Sequence, residues 1–251
     1  MSIAVIIRNA RRALREEADD WRVPGRVAEA LFLAPLAGAA LLLAVAPFRR
    51  LFVALTREDG PLEWGEVAAW GLVVAFASMI SRRLWATDQR LPALLYALLA
   101  FGAIFVMGEE VSWGQRIFRI DTPAALRAEN EQGETTLHNL RGIHLEYRVA
   151  LFLVGAYGSV LVYAARGWVR ERWPAACDLF LPPLFLTSPF LVQAAYRGVR
   201  LFWLNEPITY LWGFGEWPEL CMPAAIAAFS CLNLRRAAAG APAAAAAAAA
   251  R

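Results

Sequence analysis

Lysine is absent from this 251-residue chain. All 25 basic residues are arginine, scattered at the ends of apolar segments. Arginines in those positions anchor helices at the bilayer interface. The net charge of +3 and the pI near 9.0 therefore do not amount to the basic patch a nucleic-acid partner would need. Charge of either sign is scarce, at 19% of residues, where a soluble domain carries about a quarter. There are two histidines, which excludes a three-histidine zinc centre. The three cysteines, Cys177, Cys221 and Cys231, show no CxxC spacing and read as free buried thiols. The serine nucleophile elbow, the P-loop and the Rossmann glycine signature are all missing. The first apolar cluster, "IAVII", is shorter than the roughly 7–15 residues of a signal-peptide core. The first span is therefore expected to stay as an anchor.

What fills the chain is hydrocarbon: 59% of residues are hydrophobic, and mean hydropathy is +0.43. The apolar residues come in runs of about 17–25, the length of a bilayer-spanning helix. The alternating ten-residue segments of a transmembrane barrel are absent. The composition predicts an all-α, polytopic helical membrane protein with about six transmembrane helices. Spans are expected near residues 27–46, 64–80, 91–108, 149–165, 179–196 and 217–234. Residues 1–26 read as an amphipathic interfacial helix, with Ile3, Ile6, Ile7, Ala10 and Leu14 on one stripe. Pro182, Pro183 and Pro189 should break or kink the fifth span. The aromatic stretch 201–216 is too short to cross and reads as interfacial or re-entrant. Residues 1–236 form one membrane domain, and the alanine-rich tail 237–251 has nothing large to pack.

Six spans put both termini on one side. The short loops "RRLWATDQR" and "RGWVRERW" carry the positive charge that marks a cytoplasmic face. Fourteen of the 22 acidic residues, with both histidines, fall at the opposite face. This segregation is the main functional clue.

Its centre is "GEEVSWGQRIF", where the third span ends. A continuing helix would align Glu109, Ser112, Trp113 and Arg116 on one stripe, with Glu109 paired to Arg116 and Glu110 turned aside. Ionisable groups at membrane depth are costly and mark sites. The outer-face loop 109–148 continues with "ENEQGETTLHNLRGIH". A helix there would put Glu131, Glu134 and His138 on one face. Glu110, Glu134 and His138 could then hold a divalent ion such as zinc, manganese or iron. His138 oriented by Glu134 could equally be a general base. Glu63 and Glu66 enter the second span, and Glu216 and Glu219 open the last. Each pair alone is explained by the helix dipole, which favours carboxylates at an N-terminus. "GAYGSV" in the fourth span reads as small-residue helix packing.

"GEEVSWGQRIF", followed by "ENEQGETTLHN" and preceded by "REDGPLEW", resembles a family of uncharacterised bacterial multi-pass membrane proteins, over most of residues 50–225. The resemblance implies a bacterial inner-membrane protein and carries no catalytic roles. The residues themselves lead to a membrane-embedded enzyme with an acidic outer-face pocket for a lipid or lipid-linked substrate. Glu109, Glu110, Glu134 and His138 would do the chemistry. Trp113, Gln115, Arg116, Asn139, Arg141 and Glu216 would bind substrate, with Arg116 and Arg141 on an anionic headgroup. Trp212 and Trp217 would join Trp113 at the lipid-facing rim. The rival readings are a transporter or proton-coupled carrier, and a non-catalytic partner subunit or assembly factor.

Overall fold

A chain that must satisfy its backbone inside a bilayer has one open-ended solution, the helix. The computed structural model describes residues 2–130, 133–140, 142–202 and 209–238. Among them no strand occurs, and a single isolated bridge joins Asn130 to Leu140. The chain is an all-α polytopic protein, and its described residues hold five helical segments long and apolar enough to span a membrane.

Helix α1 (Ile3–Asp20) is followed by α2 (Gly25–Val45), short α3 (Arg49–Thr56), α4 (Pro61–Ala86) and α5 (Arg90–Glu110). Two short turns of helix follow in the next loop, α6 (Gln115–Phe118) and α7 (Ala124–Glu129). Helix α8 (His144–Ala156) runs through a π-helical turn at Tyr157–Leu161 into α9 (Val162–Arg172). Then come α10 (Pro174–Phe180), α11 (Thr187–Phe202) and α12 (Glu216–Ala238).

Along α5 packing follows mostly small residues. On α5 the buried positions are Ala93, Tyr96, Ala100 and Ala103, while Leu91, Leu94, Leu98 and Phe101 are exposed. Lipid tails are as apolar as leucine, so close backbone approach, not burial of bulk, drives association. The buried stripe of α4 runs Glu66, Ala69, Trp70, Val73, Ala77, Ile80, Leu84 and lies between α5 and α12. Helix α12 is long enough to cross, at 23 residues and 1.5 Å each. It falls outside the five segments because Glu216, Glu219 and Asn233 lower its hydropathy. Those groups are tolerated because α12 is packed against α4 and α11.

The glycines of "GAYGSV" are contact points, as their size suggested. A Cβ on Gly158 would stand 2.3 Å from the Phe190 ring, and one on Gly155 2.7 Å from the Ala194 nitrogen. The proline-rich fifth segment breaks as expected: α10 ends at Phe180, and α11 starts only after a 3₁₀ turn at Leu184–Leu186. Trp217 departs from its expected place at the lipid rim. Its indole fills the notch at Gly38 of α2 and donates to the Pro35 carbonyl at 2.9 Å. The missing side chain at Gly38 makes that wedge the tighter-packed choice.

The two ends of the bundle differ in chemistry. At one end Glu17 of α1 pairs with Arg166 and accepts the Leu184 amide at 2.5 Å. Arg236 meets Asp178 there at 3.0 Å. Helix α1 buries Leu14 and Ala18 against this end, while Ile7 and Ala10 of the expected stripe stay exposed. The acid-rich segments gather at the other end.

Candidate functional site

The motif at the end of α5 does not continue as a helix. Ser112, Trp113 and Gly114 all take left-handed backbone, with φ of 48°, 54° and 81°. This reverses the chain and removes the expected stripe of Glu109, Ser112, Trp113 and Arg116. Such conformations cost about 1–2 kcal/mol for a residue with a side chain, so surrounding contacts must hold them. Those contacts are visible. The Trp113 ring lies against Gly108, where a Cβ would stand 2.9 Å from it, and its indole donates to Glu109 Oε1 at 2.7 Å.

Glu109 is the hub of a second set of bonds. Its Oε2 accepts the amides of Leu137 at 2.6 Å and His138 at 3.0 Å, and faces His138 Nδ1 at 3.1 Å. Ser112 donates to Glu134 Oε2 at 2.5 Å. Gln115 Oε1 accepts both the amide and the hydroxyl of Thr135, at 2.9 and 2.8 Å, while its amide nitrogen donates to Thr122. Asn130 closes the loop on itself by donating to the Thr136 carbonyl at 2.8 Å, and Asn139 donates to the Thr136 hydroxyl at 3.2 Å. The loop therefore folds back over the end of α5. Glu109, Ser112 and Gln115 of one motif grip Glu134, Thr135, Leu137 and His138 of the other.

This architecture reassigns several expected roles. Glu109 is buried, at 4% exposure, and acts as a clamp. It takes the place beside His138 that Glu134 was expected to fill, and His138 is its ionic partner among the described residues. Gln115 and Asn139 hold the loop, although Asn139 also lines the cavity described below. Trp113 is half exposed beside Phe105, at the outer edge of the bundle. Glu131, Arg141 and the side chain of Arg116 lie outside the described residues.

Between the folded loop, α4, α8, α11 and α12 lies a cavity of about 700 Å³. Glu63, Glu110, Glu134, Glu216 and Glu219 line it together with His138 and Tyr147. Arg57, Arg148, Arg197 and Arg200 also face it. Trp212 stands at its wall with the Arg200 guanidinium 4.8 Å from its ring centre. Arg197, 8% exposed, pairs with Glu219. One turn deeper than Glu63, Glu66 is 2% exposed and receives the Trp70 indole at 3.1 Å.

Glu66, Glu110 and Glu219 each bring a carboxylate oxygen within 4.8 Å of the others. Among the described residues this is the one trio of metal-capable side chains so close. It replaces the expected set of Glu110, Glu134 and His138. Glu134 is engaged by Ser112 and His138 by Glu109, so the loop residues serve the fold-back instead. With an effective dielectric of about 20, two charged carboxylates at that separation repel by about 3.5 kcal/mol. The trio needs protons, Arg197 or a cation to coexist.

His138 lies outside the spans, and its pKa is raised above the ordinary 6.5. Burial works against the charged ring, but the bond to Glu109 and the charges of Glu110, Glu109 and Glu219 outweigh it. One ring nitrogen is fixed by a carboxylate, an arrangement suited to acid/base work.

Glu66, Glu219, Tyr147 and Arg197 join the site without having been singled out for it. The available signal was a carboxylate inside the second span and an arginine four residues after Gln193 on α11. Comparison with protein-family models, curated proteins and solved structures gave no match.

Proposed function

We propose that this protein is a membrane-embedded enzyme whose outer-face acidic cavity acts on a lipid or lipid-linked substrate with an anionic headgroup. The observation that carries this reading is convergence. Carboxylates from α4, α5, the 130–140 loop and α12 meet arginines from α8 and α11 around one cavity. Single helix ends decorated by the dipole rule would have no reason to share a cavity. Arg148 and Arg200 would receive the headgroup, arginine's forked donors suiting phosphate or carboxylate. The Glu109-held ring of His138 would move a proton, and Glu110 would act from the opposite wall. We further infer a bacterial inner membrane with cytoplasmic termini, supported by the arginine-rich short loops 82–90 and 166–176.

The test is conversion of lipid by purified protein. Radiolabelled total membrane lipid and a polyprenyl phosphate are incubated with wild type, Glu110→Gln and His138→Gln, and products are separated by thin-layer chromatography. Conversion by wild type alone is expected. Identical lipid profiles with all three proteins would refute the reading.

One observation favours transport instead. Gln193, a turn deeper than Arg197, is fully buried, and neither polar atom of its amide is hydrogen-bonded among the described residues. This extends polarity below the cavity, as a proton-coupled carrier would use. Proton flux into liposomes carrying the protein, lost in Gln193→Leu, would support the carrier over the enzyme.

A further inference from the structure

We propose that Glu66, Glu110 and Glu219 form a site for one hard divalent cation, of the class of Mn²⁺, Mg²⁺ or Ca²⁺, at the base of the cavity. The inference deepens the enzymatic reading and rests on it only for what the ion would do.

Two independent observations lead here. The first is position. Three carboxylates from three helices, α4, α5 and α12, bring oxygens within 4.8 Å of one another. Oxygens that share one ion at about 2.4 Å stand at most about 4.8 Å apart, so the spacing lets one ion reach all three carboxylates. The second is an unmet acceptor. Glu66 is 2% exposed, and its carboxylate is aimed into the trio. One oxygen accepts the Trp70 indole at 3.1 Å; the other, Oε2, has no hydrogen-bond partner among the described residues. A buried carboxylate oxygen with no donor is rare in a folded protein and points to a further partner, which a bound cation would supply.

The donor set selects the ion. All three ligands are carboxylates, and the imidazole that lines the cavity, His138, is committed to Glu109. Carboxylate and water ligands suit magnesium, calcium and manganese, whereas zinc favours nitrogen and sulfur. Arg197 holds Glu219 in place and offsets part of the trio's negative charge. An ion here would stand beside the cavity, where it could meet the anionic headgroup that Arg148 and Arg200 face.

The experiment uses the full chain in detergent, stripped with chelator and titrated with MnCl₂. Binding is read from the loss of the free Mn²⁺ resonance. Wild type is expected to take up one ion per chain and to melt at a higher temperature when loaded. Glu66→Gln and Glu110→Gln should each weaken binding by more than about tenfold, since even indirect supports of metal ligands cost about 10–100-fold. Glu171→Gln, on the exposed end of α9, controls for loose surface binding and should match wild type. Glu66→Gln is nearly isosteric, and its melting curve without metal shows whether it folds. If it does not, Glu110→Gln decides. No uptake by wild type, or equal uptake by the folded glutamine variants, overturns the site. Mn²⁺ binding without lipid turnover keeps the site and removes the enzyme; turnover without Mn²⁺ binding does the reverse.

Discussion

Replacing Glu109 by alanine should release the 130–140 loop while leaving the membrane bundle in place. The carboxylate receives the Trp113 indole, the Leu137 and His138 amides and the His138 ring, all between 2.6 and 3.1 Å. Hydrogen bonds to a charged group contribute about 1.5–3 kcal/mol each, and orphaned buried donors add a further cost. Not all of this appears locally, because an opened loop finds water. A loss of about 3 kcal/mol in the local stability of the Leu137 and His138 amides is the conservative expectation. That corresponds to roughly 100-fold faster hydrogen exchange. Mass-spectrometric exchange on the detergent-solubilised protein resolves peptides from residues 134–140 and from α5. The loop peptides should accelerate on that scale, and those from the middle of α5 should not. Glu109→Gln keeps one acceptor oxygen but presents an amide to a donor, and should fall between the two. Unchanged exchange at Leu137 and His138 in the alanine variant would refute the clamp.

Three further outcomes follow from the geometry. The raised pKa of His138 means that its pairing stabilises the fold fully below about pH 6.5. That contribution is lost as pH rises through the raised value, so the melting advantage of wild type over His138→Gln should shrink from acid to alkaline pH; a constant difference would deny the pairing. Cysteines placed at exposed Ala86 and Ala128, in a background lacking the three native ones, should respond oppositely to an impermeant thiol reagent. Labelling at 128 and not at 86 is expected; the reverse pattern would invert the protein. Gly158→Ala should destabilise by about 1–3 kcal/mol, because its methyl group meets the Phe190 ring at 2.3 Å; an unchanged melting temperature would show that this helix contact yields easily.

The spans were legible because bilayer thickness dictates their length, and the split of acid from arginine was legible by counting spans. The interior of the site was not. Helical periodicity carried the stripe of Glu109 through Arg116, and only Gly114 hinted that the backbone would turn left-handed at Ser112. That turn depends on Trp113 lying against Gly108 and on a loop some twenty residues away, and neither contact has a local signature. Glu66 and Glu219 each had a sufficient explanation at a helix N-terminus. Their proximity arises from α12 lying along α4, where Leu220 packs over Gly65. Pair chemistry of this kind is visible only once two helices have chosen their register.

Adjacent residues on a helix point about 100° apart, and this separates the two glutamates of "GEEVSWGQR" into different jobs. Glu109 turns toward the returning loop and is consumed by its donors. Glu110 turns toward the cavity and shares the neighbourhood of Glu66 and Glu219. The same isosteric change at the two positions should therefore give opposite signatures. Glu109→Gln should lower the melting temperature and loosen residues 134–140, with Mn²⁺ affinity weakened only through the looser loop. Glu110→Gln removes one of three crowded carboxylates, so it should melt close to wild type in chelator and lose the stabilisation that added Mn²⁺ gives. Melting with and without the ion, measured on both variants, separates the roles. If the two variants coincide in both measurements, the paired acids act as one unit and the division between clamp and ligand is wrong.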